Sequence, residues 1–189
     1  MVWWMALSYL LIWGNQMQQD RLTAIIHDQT ERALWEVENV INCVPDSLWK
    51  KLYCDAPLWK HIYHMLHSLD LWFINPYDVF FCEPSIHEKD LNNLDVPASK
   101  ELSKKDITTY FSAIKEKISR YTEDLEDETL LQNPPNCPYA KFTLLLAQHR
   151  HLHSHMGMIM GFIIADTGQW PRVLGLENDF PSQDLAPYF

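Results

Sequence analysis

The stretch HRHLHSHMG sets His149, His151, His153 and His155 at alternate positions of one segment of the chain. Imidazole is the commonest side-chain ligand of divalent transition metals and titrates nearest neutral pH, so this concentration raises metal chemistry first. On a helix, at about 100° per residue, four alternating positions cannot share a face: His151 pairs with His155, and His149 with His153 on roughly the opposite side. Plotted with Leu144, Leu145, Leu152, Met156, Ile159, Phe162 and Ile163, His155 falls inside the apolar arc, His151 and His149 at its two edges, and His153 outside. The inward pair is then His151 and His155, spaced as two ligands of one divalent ion whose remaining ligands come from another helix. Candidates for the third are His61, His64 and His67. The apolar stripe Trp59, Ile62, Tyr63, Leu66 and Phe73 leaves His67 nearer the core than His64, and periodicity does not choose between them.

Other chemistries find less support. No E-x-x-H pair occurs, which disfavours a carboxylate-bridged di-iron site. Cys43, Cys54, Cys82 and Cys137 form no C-x-x-C motif, so buried thiols in a reducing cytosol are expected rather than a structural zinc knot or disulfides. The 5 glycines form no phosphate-cradling cluster, and a net charge of −10 with no basic cluster argues against a broad nucleic-acid-binding face.

The elements that must carry the histidines are helical. With 189 residues, 47% hydrophobic and 21% charged, the chain is long enough for one domain with a sizeable core, and its few glycines do not suit a many-stranded sheet. From Met17, Leu22, Ile25, Ile26, Ala33, Val37, Val40 and Ile41 recur at three- and four-residue steps, predicting a long amphipathic helix that ends before Pro45. A second is expected from Asp55 as cap, with Pro57 in its first turn, to the Asn75-Pro76 break. Residues 76–103 show no sustained period and read as a long crossover connection. Ser103 with Asp106 forms a capping box for a third helix whose inner stripe is Ile107, Phe111, Ile114, Ile118, Tyr121 and Leu125. Pro138 suits the first turn of a fourth helix that Gly168 ends. No strands are expected. The pattern predicts an all-α, four-helix bundle with one long crossover between the second and third helices.

The apolar run at residues 1–16 lacks the basic flank and cleavage site of a secretory signal and is too short to span a membrane. It is expected to be an extension outside the native domain or a segment that packs on it. The domain is read as residues 17–175, followed by an irregular tail over 176–189 that drapes over it.

Two motifs carry a family likeness. His64, Asp70 and Trp72 form H-x-x-x-x-x-D-x-W, and Arg150, His151, His155 and Gly157 form R-H-x-x-x-H-x-G. Together with the crossover, the third helix and the QWPRVLG segment, these resemble the DinB/YfiT-like superfamily over about residues 17–175. The resemblance implies a four-helix bundle holding a divalent metal, nickel or zinc, on His64, His151 and His155. It also implies a metal-dependent hydrolase, or a transferase using a low-molecular-weight thiol as cofactor, with the substrate unspecified. The alternative is a non-enzymatic interaction module with an incidental or structural metal. His61, His67, His149 and His153 lie outside the family pattern and are expected at the surface or behind the ligands. A cytoplasmic protein is expected, with no nucleic-acid or membrane partner and with a second copy of itself as the partner, since an aromatic-rich chain carries surplus apolar surface.

Overall fold

In the computed structural model the described residues are 21–176 and 186–189. Residues 1–16 and the expected helix start at Met17 lie outside them. Helix α1 spans Leu22–Cys43 and stops where Val44 turns extended ahead of Pro45. Arg21 at its start supplies no side-chain cap. The cap comes instead from Asp127, whose carboxylate accepts the Leu22 and Thr23 N–H groups at 3.1 and 3.0 Å and the Thr23 hydroxyl at 2.7 Å.

A short helix α2, Asp46–Trp49, follows Pro45. The expectation of no strands needs correction: β1 (Leu52–Tyr53) and β2 (Ala56–Pro57) form a minimal antiparallel hairpin, with Leu52 opposite Pro57 and Tyr53 opposite Ala56. Its two turn residues, Cys54 and Asp55, have φ of 48° and 66°, the signature of a primed two-residue turn, and Asp tolerates that conformation better than most residues. Asp55 is thus a hairpin residue and not a helix cap. Helix α3, Leu58–Trp72, starts after Pro57, which stands at the N-cap rather than in the first turn.

The Ser103 and Asp106 capping box is present at the head of α4, Lys104–Glu123. A 3₁₀ turn, Asp127–Thr129, leads to helix α5, Lys141–Thr167, which Gly168 closes in the left-handed conformation at φ 72°. Pro138 is not in α5. The chain is still turning there, with Asn136 at φ 61° and Cys137 N–H bonded to the Pro134 carbonyl, so the helix begins at Lys141 behind Ala140.

Among the described residues α1 and α3 each pack against both α4 and α5. Leu34, Val37 and Ile41 of α1, Ile62 and Leu66 of α3, Ile107, Ile114 and Ile118 of α4, and Leu145, Ile159 and Ile163 of α5 share one core. Full burial of each such side chain stabilises the fold by about 1.5–3 kcal/mol. The expected α4 stripe holds except at its end: Tyr121 is half-buried, and Leu125 lies beyond the helix. No described helix is long and apolar enough to cross a membrane. All four cysteines are free, but only Cys43 and Cys137 are buried; Cys54, in the hairpin turn, and Cys82 are exposed, contrary to expectation.

Residues 73–103 run as a chain of successive turns and lie over α3. Four α3 residues at helical spacing fasten them. Lys60 Nζ donates to the Val96 carbonyl, Tyr63 bonds His87 at 2.8 Å, His64 bonds the Asn92 carbonyl at 2.7 Å, and His67 bonds Glu83 at 2.7 Å. Trp49 Nε1 adds a bond to the Leu102 carbonyl at 2.9 Å. On the other side of the molecule, the described parts of the tail lie against α1. Asn39 donates to the Arg172 and Pro187 carbonyls at 3.0 and 2.9 Å, and the Tyr188 hydroxyl donates to the Cys43 carbonyl at 3.1 Å.

Candidate metal centre

Helix α3 turns His64 toward α5, where His151 and His155 stand on adjacent turns of one face. The three imidazoles each offer a nitrogen within 4.8 Å of the other two. Ring centroids are 4.7 Å apart for His64 and His155, 5.9 Å for His64 and His151, and 4.4 Å for His151 and His155. All three rings are half-buried.

His64 is fixed by its backbone partner. Its Nδ1 carries the proton and donates to the Asn92 carbonyl, which accepts only, so Nε2 is left with a free lone pair. This is the arrangement in which an outer partner sets the tautomer and orientation of a ligating histidine. The other two rings meet Nε2 to Nε2 at 3.1 Å. Two such atoms can share one proton at most. Their Nδ1 atoms are buried with no hydrogen-bond partner among the described residues, so neither ring has the anchor that His64 has.

Burial, and then the neighbouring His151, His64 and His61, hold the His155 imidazole down at about 4. Burial and His64 lower His151 in the same direction. Both rings are therefore neutral near pH 7, with lone pairs available. Three imidazoles form a donor set that suits zinc, nickel and similar borderline cations, and a cation can occupy the place where two Nε2 atoms otherwise compete over one proton.

The remaining α5 histidines face α1. His149 is half-buried with Nε2 3.0 Å from the Thr30 hydroxyl, whereas His153 is exposed with Nε2 3.9 Å from Glu36. The helical wheel thus separated the two α5 pairs as drawn. His61 and His67 are not surface residues; they are 2% and 3% exposed, because the hairpin covers one and the 73–103 connection the other. His61 Nε2 donates to the Tyr53 carbonyl at 2.8 Å. Of the motif residues that are not histidine, Asp70 bonds Lys117 at 2.6 Å and Tyr110 at 2.8 Å and so joins α3 to α4, while Trp72, Arg150 and Gly157 are exposed.

No family model, curated protein or solved structure matches the chain. The functional reading stands on the chemistry of the side chains.

Sequence reasoning missed a second cluster. His67, Glu83 and His87 also present ligand atoms within 4.8 Å of one another. Glu83 and His87 belong to the connection, where no period marks an inward face. The one available signal was their own four-residue spacing beside three α3 histidines.

Proposed function

We propose that the chain is a divalent-metal-binding protein of DinB/YfiT-like type: a four-helix bundle with a long crossover between α3 and α4. In this reading His64, His151 and His155 hold nickel or zinc. The observation that carries it is the convergence of three imidazoles from two helices, one with its tautomer set by a carbonyl and two with their Nε2 atoms 3.1 Å apart. Held by these three nitrogens, such an ion would supply Lewis acidity toward water or a thiolate. The rest is the work of the chain itself. Asn92 keeps the His64 lone pair directed at the α5 pair, and burial keeps His151 and His155 unprotonated. The reaction class this reading carries is metal-dependent hydrolysis, or group transfer that uses a low-molecular-weight thiol as cofactor, and its compartment is the cytoplasm. The substrate follows from neither.

Metal analysis of protein purified without a polyhistidine tag tests the reading. Replacing His155 with Ala removes the ion bound at this centre and leaves helical circular dichroism intact. Retention of that ion, or a chain that unfolds when its metal is stripped, would sink the open catalytic site.

A second reading, an interaction module with a structural metal, draws on the surface between α1 and α5. Leu22, Ile25 and Leu146 are 54%, 51% and 56% exposed around a groove also lined by Ile26, Phe142 and Leu145. Within the first reading the same surface supports a homodimer whose metal centres are each complete in one chain.

A further inference from the structure

The His67, Glu83 and His87 cluster brings three possible ligand atoms within 4.8 Å of one another, as its neighbour does. His67 Nε2 lies 2.7 Å and His87 Nε2 4.0 Å from the same oxygen, Oε2 of Glu83. The two rings are nearly parallel, with centroids 4.8 Å apart. Each ring is held at its far nitrogen. His87 Nδ1 stands 2.8 Å from the hydroxyl of the fully buried Tyr63, and His67 Nδ1 stands 3.2 Å from the side-chain amide of Asn92. The Tyr63 hydroxyl can donate or accept, so His87 can present an unprotonated Nε2; Asn92 offers its amide nitrogen, which donates, so His67 Nδ1 accepts and its Nε2 carries the proton shared with Glu83, the proton that a bound cation would displace. The imidazoles lie below the surface while the carboxylate is 49% exposed at side-chain level, which leaves the cluster reachable from solvent.

A lone ion pair would use one histidine and one acid. Here two rings, each anchored from behind, are aimed at one carboxylate, and the set is two nitrogens and an oxygen from three separate turns of chain. We infer that His67, Glu83 and His87 form a second divalent-cation site, of the zinc class, distinct from the three-histidine centre. Two imidazoles and one carboxylate are a recognised donor set for zinc, with the outer hydrogen bonds orienting the ligands. Asn92 lies between the two centres: its carbonyl accepts from His64 and its side chain meets His67. The inference does not depend on the chemistry proposed for the first centre.

The test is zinc stoichiometry by calorimetry on the full chain, prepared without a polyhistidine tag and stripped by chelator. The unaltered protein takes up two equivalents. His155→Ala keeps one, and Glu83→Gln and His87→Ala each keep one. His155→Ala combined with His87→Ala keeps none. Tyr63→Phe weakens the second equivalent by about 10–100-fold and spares the first. Circular dichroism on each variant confirms that it is folded, and Glu83→Gln preserves both the shape and the exposure of the side chain. One equivalent in the unaltered protein with none in folded His155→Ala overturns the second site, as do two equivalents in both Glu83→Gln and His87→Ala. Loss of one equivalent in the Glu83 and His87 variants, with no loss in His155→Ala, would instead refute the three-histidine centre and leave the second site standing.

Discussion

His64 and His155 carry the same ring and differ in what governs its proton. A carbonyl sets the tautomer of His64, whereas burial and neighbouring imidazoles keep His155 neutral. The consequence is a pH dependence of the metal-free protein. Because the folded value, about 4, lies below the ordinary 6.5, the unfolded chain takes up this proton first as pH falls. The folded state keeps its full stability from this group above pH 6.5 and loses it progressively as the pH drops toward 4. Melting temperatures of chelator-treated protein across that range fall more steeply for the native chain than for His155→Ala; parallel curves would remove this account. At this scale the sequence was informative for α5 and ambiguous for α3. The α5 wheel separated its two histidine pairs because one side of that helix faces α3 and the other α1. The α3 wheel left His67 nearer the core than His64 without choosing between them, because it treated every position off the apolar stripe as open to water.

Helix α3 has two covered faces, and only one of them is apolar. Lys60, Tyr63, His64 and His67 form a stripe at helical spacing that is roofed by residues 73–103, so polar side chains there are buried with partners instead of solvated. Hydrophobic periodicity cannot report such a face. For the same reason Glu83, His87 and Asn92 were illegible: an aperiodic segment gives no direction to its side chains. What could be read were the helices with clean stripes and strong local punctuation, as at Ser103 and Gly168. Asp55 and Pro138 misled because Asp and Pro serve turns as readily as helix starts. Caps also come from a distance, as Asp127 does for α1 across 105 residues of sequence, and no local rule finds those. The capping box of α4 lends itself to measurement. Ser103→Ala removes the acceptor for the Asp106 N–H and should cost about 1 kcal/mol in denaturant unfolding, with metal content unchanged. A cost near zero would mean that packing alone holds that end of the helix.

For the molecule as a whole, the groove between α1 and α5 bears on self-association. Sedimentation at micromolar concentration should show a species heavier than the 22.3 kDa chain, and Leu146→Glu should return it to one chain without lowering the melting temperature, since Leu146 is more than half exposed. A single 22.3 kDa species in the unaltered protein would dispose of the dimer.

The contact of the tail with α1 has a consequence in time. Tyr188 reaches the Cys43 carbonyl across 145 residues of sequence. In the finished fold that separation matters little, because the entropy of closing a loop grows only with the logarithm of its length. On the ribosome it matters more. At about 5–20 residues per second, the patch around Asn39 and Cys43 waits on the order of ten seconds for residues 187 and 188 to be made. Through that interval the nascent chain, rather than the completed protein, is the form in which this side of α1 lies open to other chains.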